Sequence, residues 1–158
     1  FASATAPDTS TAYAIFEAAP KAYGLHLDCI YGSSDPTLNH KYMYAFTGTA
    51  TSEISRYNIA TEHWELISCL PQTETLTSGS MFCYDGQDRI YYWSGTALRL
   101  MYYDIVKNIV VPSSTPPYGM STAITSNRME IVETADHLKY LYLMRHSANE
   151  MWRTLLFW

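Results

Sequence analysis

Charge is scarce in this chain of 158 residues: Lys, Arg, Asp and Glu together make up 16% of it. A helical bundle draws heavily on Ala, Leu, Glu and Lys, so this composition speaks against one. Cations are fewer still. Ten Lys and Arg stand against fifteen Asp and Glu, giving a formal net charge of -5 and a pI near 5.4. The basic residues are scattered singly, so there is no phosphate-binding footprint and a nucleic-acid partner is not expected. Apolar runs are short, none approaching the roughly 18 residues needed to span a bilayer, so no membrane partner is expected either. The first residues, Phe1-Ala2-Ser3-Ala4-Thr5-Ala6, lack a charged region followed by an apolar core. A first residue other than Met suggests processing or a piece of a longer chain.

Cysteine is limited to Cys29, Cys69 and Cys83, too few for a disulfide framework and without a C-x-x-C pair for zinc or redox work. Their apolar neighbours mark them as small buried hydrophobes. The five histidines, His26, His40, His63, His137 and His146, show neither the spacing of an H-E-x-x-H site nor strand-borne alternation. His26 and His40 bracket Asp28 and Asp35, which read as solvated loop groups. No G-x-S-x-G elbow and no glycine-rich phosphate loop is present. Asp85-Gly86-Gln87-Asp88 lacks the later ligands of a calcium loop and reads as a hairpin turn. No catalytic residue, metal or cofactor is therefore expected, and the chain is not read as an enzyme.

What the chain has is aromatic side chains: 15% of residues, with fourteen tyrosines. Large side chains of this kind suit cross-strand packing and point to an all-β fold. The segment Tyr57-Asn58-Ile59-Ala60-Thr61-Glu62-His63-Trp64, continuing to Pro71, also recurs. Tyr103-Asp104-Ile105-Val106-Lys107-Asn108-Ile109-Val110 keeps the offset from an aromatic to the next strand, with Pro117 beyond it. Tyr13-Ala14-Ile15-Phe16-Glu17-Ala18-Ala19-Pro20 repeats the strand and its closing proline. Copies roughly 45 to 50 residues apart fit propeller blades better than helical solenoids.

The aromatic-Asp/Asn turn, the Trp that opens an outer strand and the following proline resemble kelch repeats. Tyr57-Asn58 and Trp64 match that pattern, while Tyr103-Asp104 matches its first half and Val110 stands where the Trp would be. Single glycines, Gly48 and Gly95, replace the family's glycine pair, and no glycine follows Lys139-Tyr140-Leu141-Tyr142-Leu143-Met144. The resemblance implies a β-propeller with blades of four antiparallel strands. Some kelch-like propellers are copper oxidases or act on sialic acids, but no matching histidine pair is present for the copper chemistry.

The expected blades span about 25–71, 78–117 and 119–158. In the first, strands are expected over Leu25 to Tyr31, Lys41 to Phe46, Glu53 to Tyr57 and Trp64 to Ser68. In the second they run over Met81 to Tyr84, Arg89 to Trp93, Ala97 to Tyr103 and Ile109 to Val111, with Pro112 ending the ladder. The third offers Thr122 to Thr125, Met129 to Glu133, Lys139 to Met144 and Trp152 to Trp158. The first two of these segments read as one bent strand or two; with Lys139 to Met144 matched to Lys41 to Phe46, Met151 to Trp158 becomes the third strand and the missing fourth is assigned to 13–18, either within one chain or in a partner's last blade.

About three blades cannot close a ring of roughly four to eight. The expected partner is thus a second copy, giving a six-bladed dimer, or the rest of a longer propeller, or another protein. The function expected is a non-catalytic protein-binding or structural module, with a carbohydrate-binding or carbohydrate-processing propeller as the alternative. Binding is assigned to the loops between second and third strands and between blades, at Glu53, Glu74, Tyr118, Arg145 and His146. Trp64 is expected to be a buried aromatic between neighbouring blades.

Overall fold

The computed structural model describes residues 22–26, 29–47, 53–71, 76, 80–94, 99–113, 128–145 and 150–156. These contain eleven strands and no helix. Each sheet is an antiparallel meander in chain order. The first contains β1 (Ala22–His26), β2 (Tyr42–Thr47), β3 (Glu53–Asn58) and β4 (His63–Cys69). The second contains β5 (Met81–Tyr84), β6 (Arg89–Trp93), β7 (Leu100–Asp104) and β8 (Ile109–Pro112). The third has three strands, β9 (Arg128–Glu133), β10 (Lys139–Arg145) and β11 (Glu150–Leu155), with β10 in the middle. The first strands of successive sheets lie side by side, β1 near β5 and β5 near β9.

The repeated motif forms the same turn twice. Asn58 Oδ1 accepts from the amides of Ala60 and Thr61 at 3.0 and 3.4 Å, while Asp104 Oδ1 accepts from Val106 and Lys107 at 3.2 and 2.9 Å. Four residues after each Asx, the backbone turns left-handed, at Glu62 (φ 60) and Asn108 (φ 55). A short acceptor side chain at the turn's entry satisfies amides that the ladder has abandoned, which is why Asn or Asp stands there. The turns set the register, so Tyr57 pairs with Trp64 as Tyr103 pairs with Val110.

Two apolar seams join the sheets. Between the first and second, Tyr42, Tyr44, Phe46 and Ile54 meet Ile90, Tyr92, Met101 and Tyr103, with Phe46 4.9 Å from the Phe82 ring centroid. Between the second and third, Met81, Tyr91, Trp93 and Leu100 meet Met129, Leu141, Leu143 and Leu156. The middle sheet is therefore buried on both faces. Its β6 is nearly continuous apolar and aromatic from Ile90 to Trp93 for that reason, instead of alternating.

Several expectations are corrected. The first strand ends at His26, and residues 29–41 form a loop where strand had been placed as far as Tyr31; the first sheet accordingly starts at Ala22, ahead of residue 25. The third strand of the second sheet starts at Leu100, later than Ala97. Pro112 still pairs with Met101 as the last residue of an outer strand, where the absent donor is tolerated. Cys69 is exposed, because it faces outward at the end of β4, while Cys29 and Cys83 are half-buried. Trp64 is half-buried and lies 5.2 Å from Tyr57 of its own sheet. The strands expected at 13–18 and Thr122 to Thr125 lie outside the described residues.

Phe46→Ala, which empties a fully buried site in the first seam, is expected to cost about 3 to 5 kcal/mol in chemical denaturation. Trp64→Ala should cost less, since a partly exposed ring loses less burial. Equal losses would mean that Trp64 anchors a seam.

Candidate functional site

The densest polar structure sits where the β1–β2 loop meets the β5–β6 turn. The loop is cross-braced: Ser33 N donates to Asn39 Oδ1 at 2.9 Å, Asn39 Nδ2 returns a bond to the Ser33 carbonyl, and Asp35 Oδ1 accepts from both Thr37 N and Thr37 Oγ1. The turn is ordered by Asp85, whose Oδ1 accepts from the amides of Gln87 and Arg89. Gly86 has φ 77 and Gly32 φ 68. A Cβ on Gly32 would stand 2.4 Å from the Gly86 carbonyl oxygen, so the two backbones can approach this closely only with glycine there.

Three further bonds tie loop to turn. Ser33 Oγ donates to Asp88 Oδ1 at 2.6 Å, the Ser34 amide donates to the same oxygen at 2.9 Å, and Tyr84 Oη donates to the Tyr31 carbonyl at 2.7 Å. Lys139 reaches across from the third sheet, its Nζ donating to the Asp85 carbonyl at 2.7 Å. One cluster thus connects all three sheets.

Its carboxylates behave differently. Burial acts to raise Asp88, but the Ser33 and Ser34 donors outweigh it and hold the group below the ordinary carboxylate range. Asp35 is lowered by the Thr37 hydroxyl. Asp85 is raised: burial outweighs the two amide bonds and the Lys139 and Arg89 charges. Only 4% of Asp85 is exposed, and its Oδ2 has no hydrogen-bond partner among the described residues.

The cluster does not form a nucleophilic site. The Ser33 hydroxyl donates to Asp88 and accepts from the Asp35 amide at 3.2 Å, which commits it to holding the loop. Among the described residues no group of three or more His, Cys, Asp or Glu could hold a metal ion. The Cys83 thiol is pushed well up by burial, which keeps it protonated and a poor nucleophile.

Grooves follow the outer parts of both seams. The first, about 500 Å³, runs between β4 and the β7–β8 turn and is lined by Arg56, Glu65, Ile67, Tyr103, Ile105 and Asn108. Arg56 Nε donates to Glu65 at 2.7 Å and its guanidinium lies 4.1 Å from the Tyr42 ring centroid. Asn108 spans the groove, accepting from Tyr103 Oη and donating to the Ile67 carbonyl. The second groove, about 240 Å³, includes Arg89, Tyr91, Tyr102 and Leu155. There Arg89 stands 4.8 Å from the Tyr102 centroid and donates to Tyr91 Oη at 3.4 Å.

Of the five loop residues expected to bind a partner, Glu53 begins β3 and Arg145 ends β10 opposite Glu150. They belong to different sheets and are not brought together. Glu74, Tyr118 and His146 lie outside the described residues. The polar cluster occupies the other end of the strands, at the turns between first and second strands. Composition could not point to it, because Ser33 and Asp88 are 55 positions apart. Asp85-Gly86 was the one visible signal, and it was read correctly as a turn.

No known family model matches this chain, and no curated protein shows significant similarity to it.

Asp85 yields a pH prediction. Its folded value lies above the ordinary 3.8, so the stability it contributes is full below that value and is lost as pH rises through the folded value. Asp85→Asn keeps an acceptor for the turn and removes the buried charge. It should melt at or above the parent at pH 7, and lose that advantage near pH 3.5. Asp85→Ala, lacking the acceptor, should cost about 1 to 3 kcal/mol at both. A parent more stable than Asp85→Asn at pH 7 would show the carboxylate to be favourable there.

Proposed function

We propose that the three sheets are consecutive blades of a kelch-like β-propeller, and that the chain is a non-catalytic protein-binding or structural module. The observation that carries the reading is the arrangement of meanders: β1 neighbours β5 and β5 neighbours β9, and each sheet packs its face on the next. Radial repetition around an axis requires both features. The repeated Asx turn into the outer strand supports the kelch likeness.

Two observations favour binding over catalysis. Most polar groups of the best-ordered cluster are hydrogen-bonded to one another, and the polar side chains lining the grooves are engaged in ion-pair, cation-π and amide contacts. The partner is then another protein, a second copy, or the rest of a longer propeller. Sugar binding would call for an open aromatic platform. Among the described residues the exposed large hydrophobic side chains include one aromatic, Tyr31, set edge-on to Tyr84.

Loops held on such a scaffold remain the proposed contact site, at Glu53, Glu74, Tyr118, Arg145 and His146. Changing all five to Ala or Ser should leave the melting temperature within a few degrees and abolish capture of a protein partner from native extract. Specific binding on a glycan array would overturn the protein-binding reading. Capture that survives the five changes would remove these residues from the contact.

A further inference from the structure

A third cavity, of about 270 Å³, lies between β5 and β9, away from both outer grooves. These are the first strands of their sheets and run beside each other. Tyr31, Cys83, Tyr84, Met129 and Glu130 are among the lining residues, with Tyr31 supplied by the β1–β2 loop. Pockets for drug-sized ligands hold roughly 300 to 1,000 Å³, so this one suits a single side chain.

Tyr31 is 52% exposed, yet its ring is held in place. It stands edge-on to Tyr84 with the ring centroids 5.5 Å apart, and it lies so close to Gly86 that a Cβ there would meet the ring at 3.6 Å. The Tyr84 hydroxyl fixes the backbone behind it by donating to the Tyr31 carbonyl. Order without burial is the condition of a pre-organised contact residue, since little entropy is then lost on binding.

Glu130 is exposed and makes no hydrogen bond or ion pair among the described residues. Its charge reaches into the cavity, where it adds to burial in holding the Cys83 thiol up. Asp88, kept ionised by the Ser33 and Ser34 donors, lies at the same end of the sheets. The nearby cations are committed elsewhere, Arg89 to Tyr102 and Tyr91, and Lys139 to the Asp85 carbonyl. Neither they nor Arg128, two residues along β9, line the cavity. It therefore presents an ordered aromatic ring and a carboxylate without a cation.

The chain itself shows what completes such a pair. At the first groove Arg56 lies 4.1 Å from the Tyr42 ring centroid and donates to Glu65 at 2.7 Å. A planar guanidinium can stack on a ring and bond a carboxylate at once, which a compact ammonium does less well. We infer that the cavity between β5 and β9 binds an arginine side chain of a protein partner, with the guanidinium on Tyr31 and bonded to Glu130. The source of that arginine rests on the protein-binding reading above, to which this adds a site and its chemistry.

Titrating acetyl-Gly-Arg-Gly-amide into the chain should shift the amide resonances of Tyr31, Phe82 to Tyr84 and Met129 to Ile131 saturably. The matching citrulline peptide, similar in shape but uncharged, should give no saturable shift. Glu130→Gln should weaken binding about two- to fivefold, the range of an exposed ion pair. Tyr31→Leu should weaken it by a similar factor, about two- to fivefold, while Tyr31→Phe, which keeps the ring, should bind as the parent does. Both positions are exposed, so all three variants should melt within a few degrees of the parent. Absence of saturable shifts, equal binding of the citrulline peptide, or parental affinity in Glu130→Gln overturns the inference. Tighter binding of free arginine than of the peptide overturns its assignment to a protein partner. Tyr31 and Glu130 are not among the five loop residues tested for capture, so failure here and failure of the proposed function are distinguishable.

Discussion

Burial of the second sheet on both faces is the constraint on which the rest depends. A four-stranded sheet with one covered face leaves half of its side chains in water, and it gains stability only by stacking. Here the stacking is done largely by aromatic residues, with the Phe46 ring 5.7 Å from Tyr92 and 6.3 Å from Tyr103 on one side and Trp93 on the other. Tyrosine gives this packing a polar cost. Tyr44 Oη and Trp93 Nε1 are buried with no hydrogen-bond partner among the described residues, and burial lifts Tyr44 to about 12. The neighbouring Arg56 charge offsets part of the Tyr44 shift.

Arginine has a second role at the seams. Its guanidinium is weakly hydrated and planar, so it can lie on a tyrosine ring at the margin of an apolar layer with little desolvation loss. Placing Arg56 and Arg89 at the outer part of the seams keeps the rings ordered while water reaches the groove. The outer grooves are therefore rims of the packing, and their polar side chains are engaged with one another.

At the turn end of the strands, a different device aligns the sheets. The Gly32 and Gly86 backbones approach within a distance that no Cβ permits, and Asp88 receives the Ser33 and Ser34 donors while Lys139 holds the Asp85 carbonyl. Hydrogen bonds have the directionality that apolar seams lack, so this cluster can fix how far one sheet slides on the next. The buried and partly unsatisfied Asp85 carboxylate is the cost of ordering the turn there.

Local chemistry made much of the fold legible. Asn58 and Asp104 predicted their turns because an Asx acceptor is a nearest-neighbour device, and Asp85-Gly86 predicted its hairpin for the same reason. β5 and β6 were bounded by those turns and could be read to the residue. The first strand could not: Leu25 to Tyr31 is apolar enough for a strand, yet Ile30 is bonded to Tyr42 and His40 in a loop that exists to meet the second sheet. The site was less legible still. Of the loop residues chosen for binding, only Glu53 and Arg145 fall in described strands, and Ser33, Asp88 and Lys139 come together only through sheet stacking.

By itself, the sequence determined the all-β class, the repeat and the turns, because alternation, aromatic content and Asx chemistry act over a few residues. Only the tertiary structure decided which faces of the sheets meet in the seams, since that depends on contacts between strands far apart in the chain. It alone placed Trp64 beside Tyr57 on the outer strand, partly exposed, and Trp93 in the centre of a seam. Both are aromatic residues in strands, and only Trp93 lies in a seam formed by described sheets.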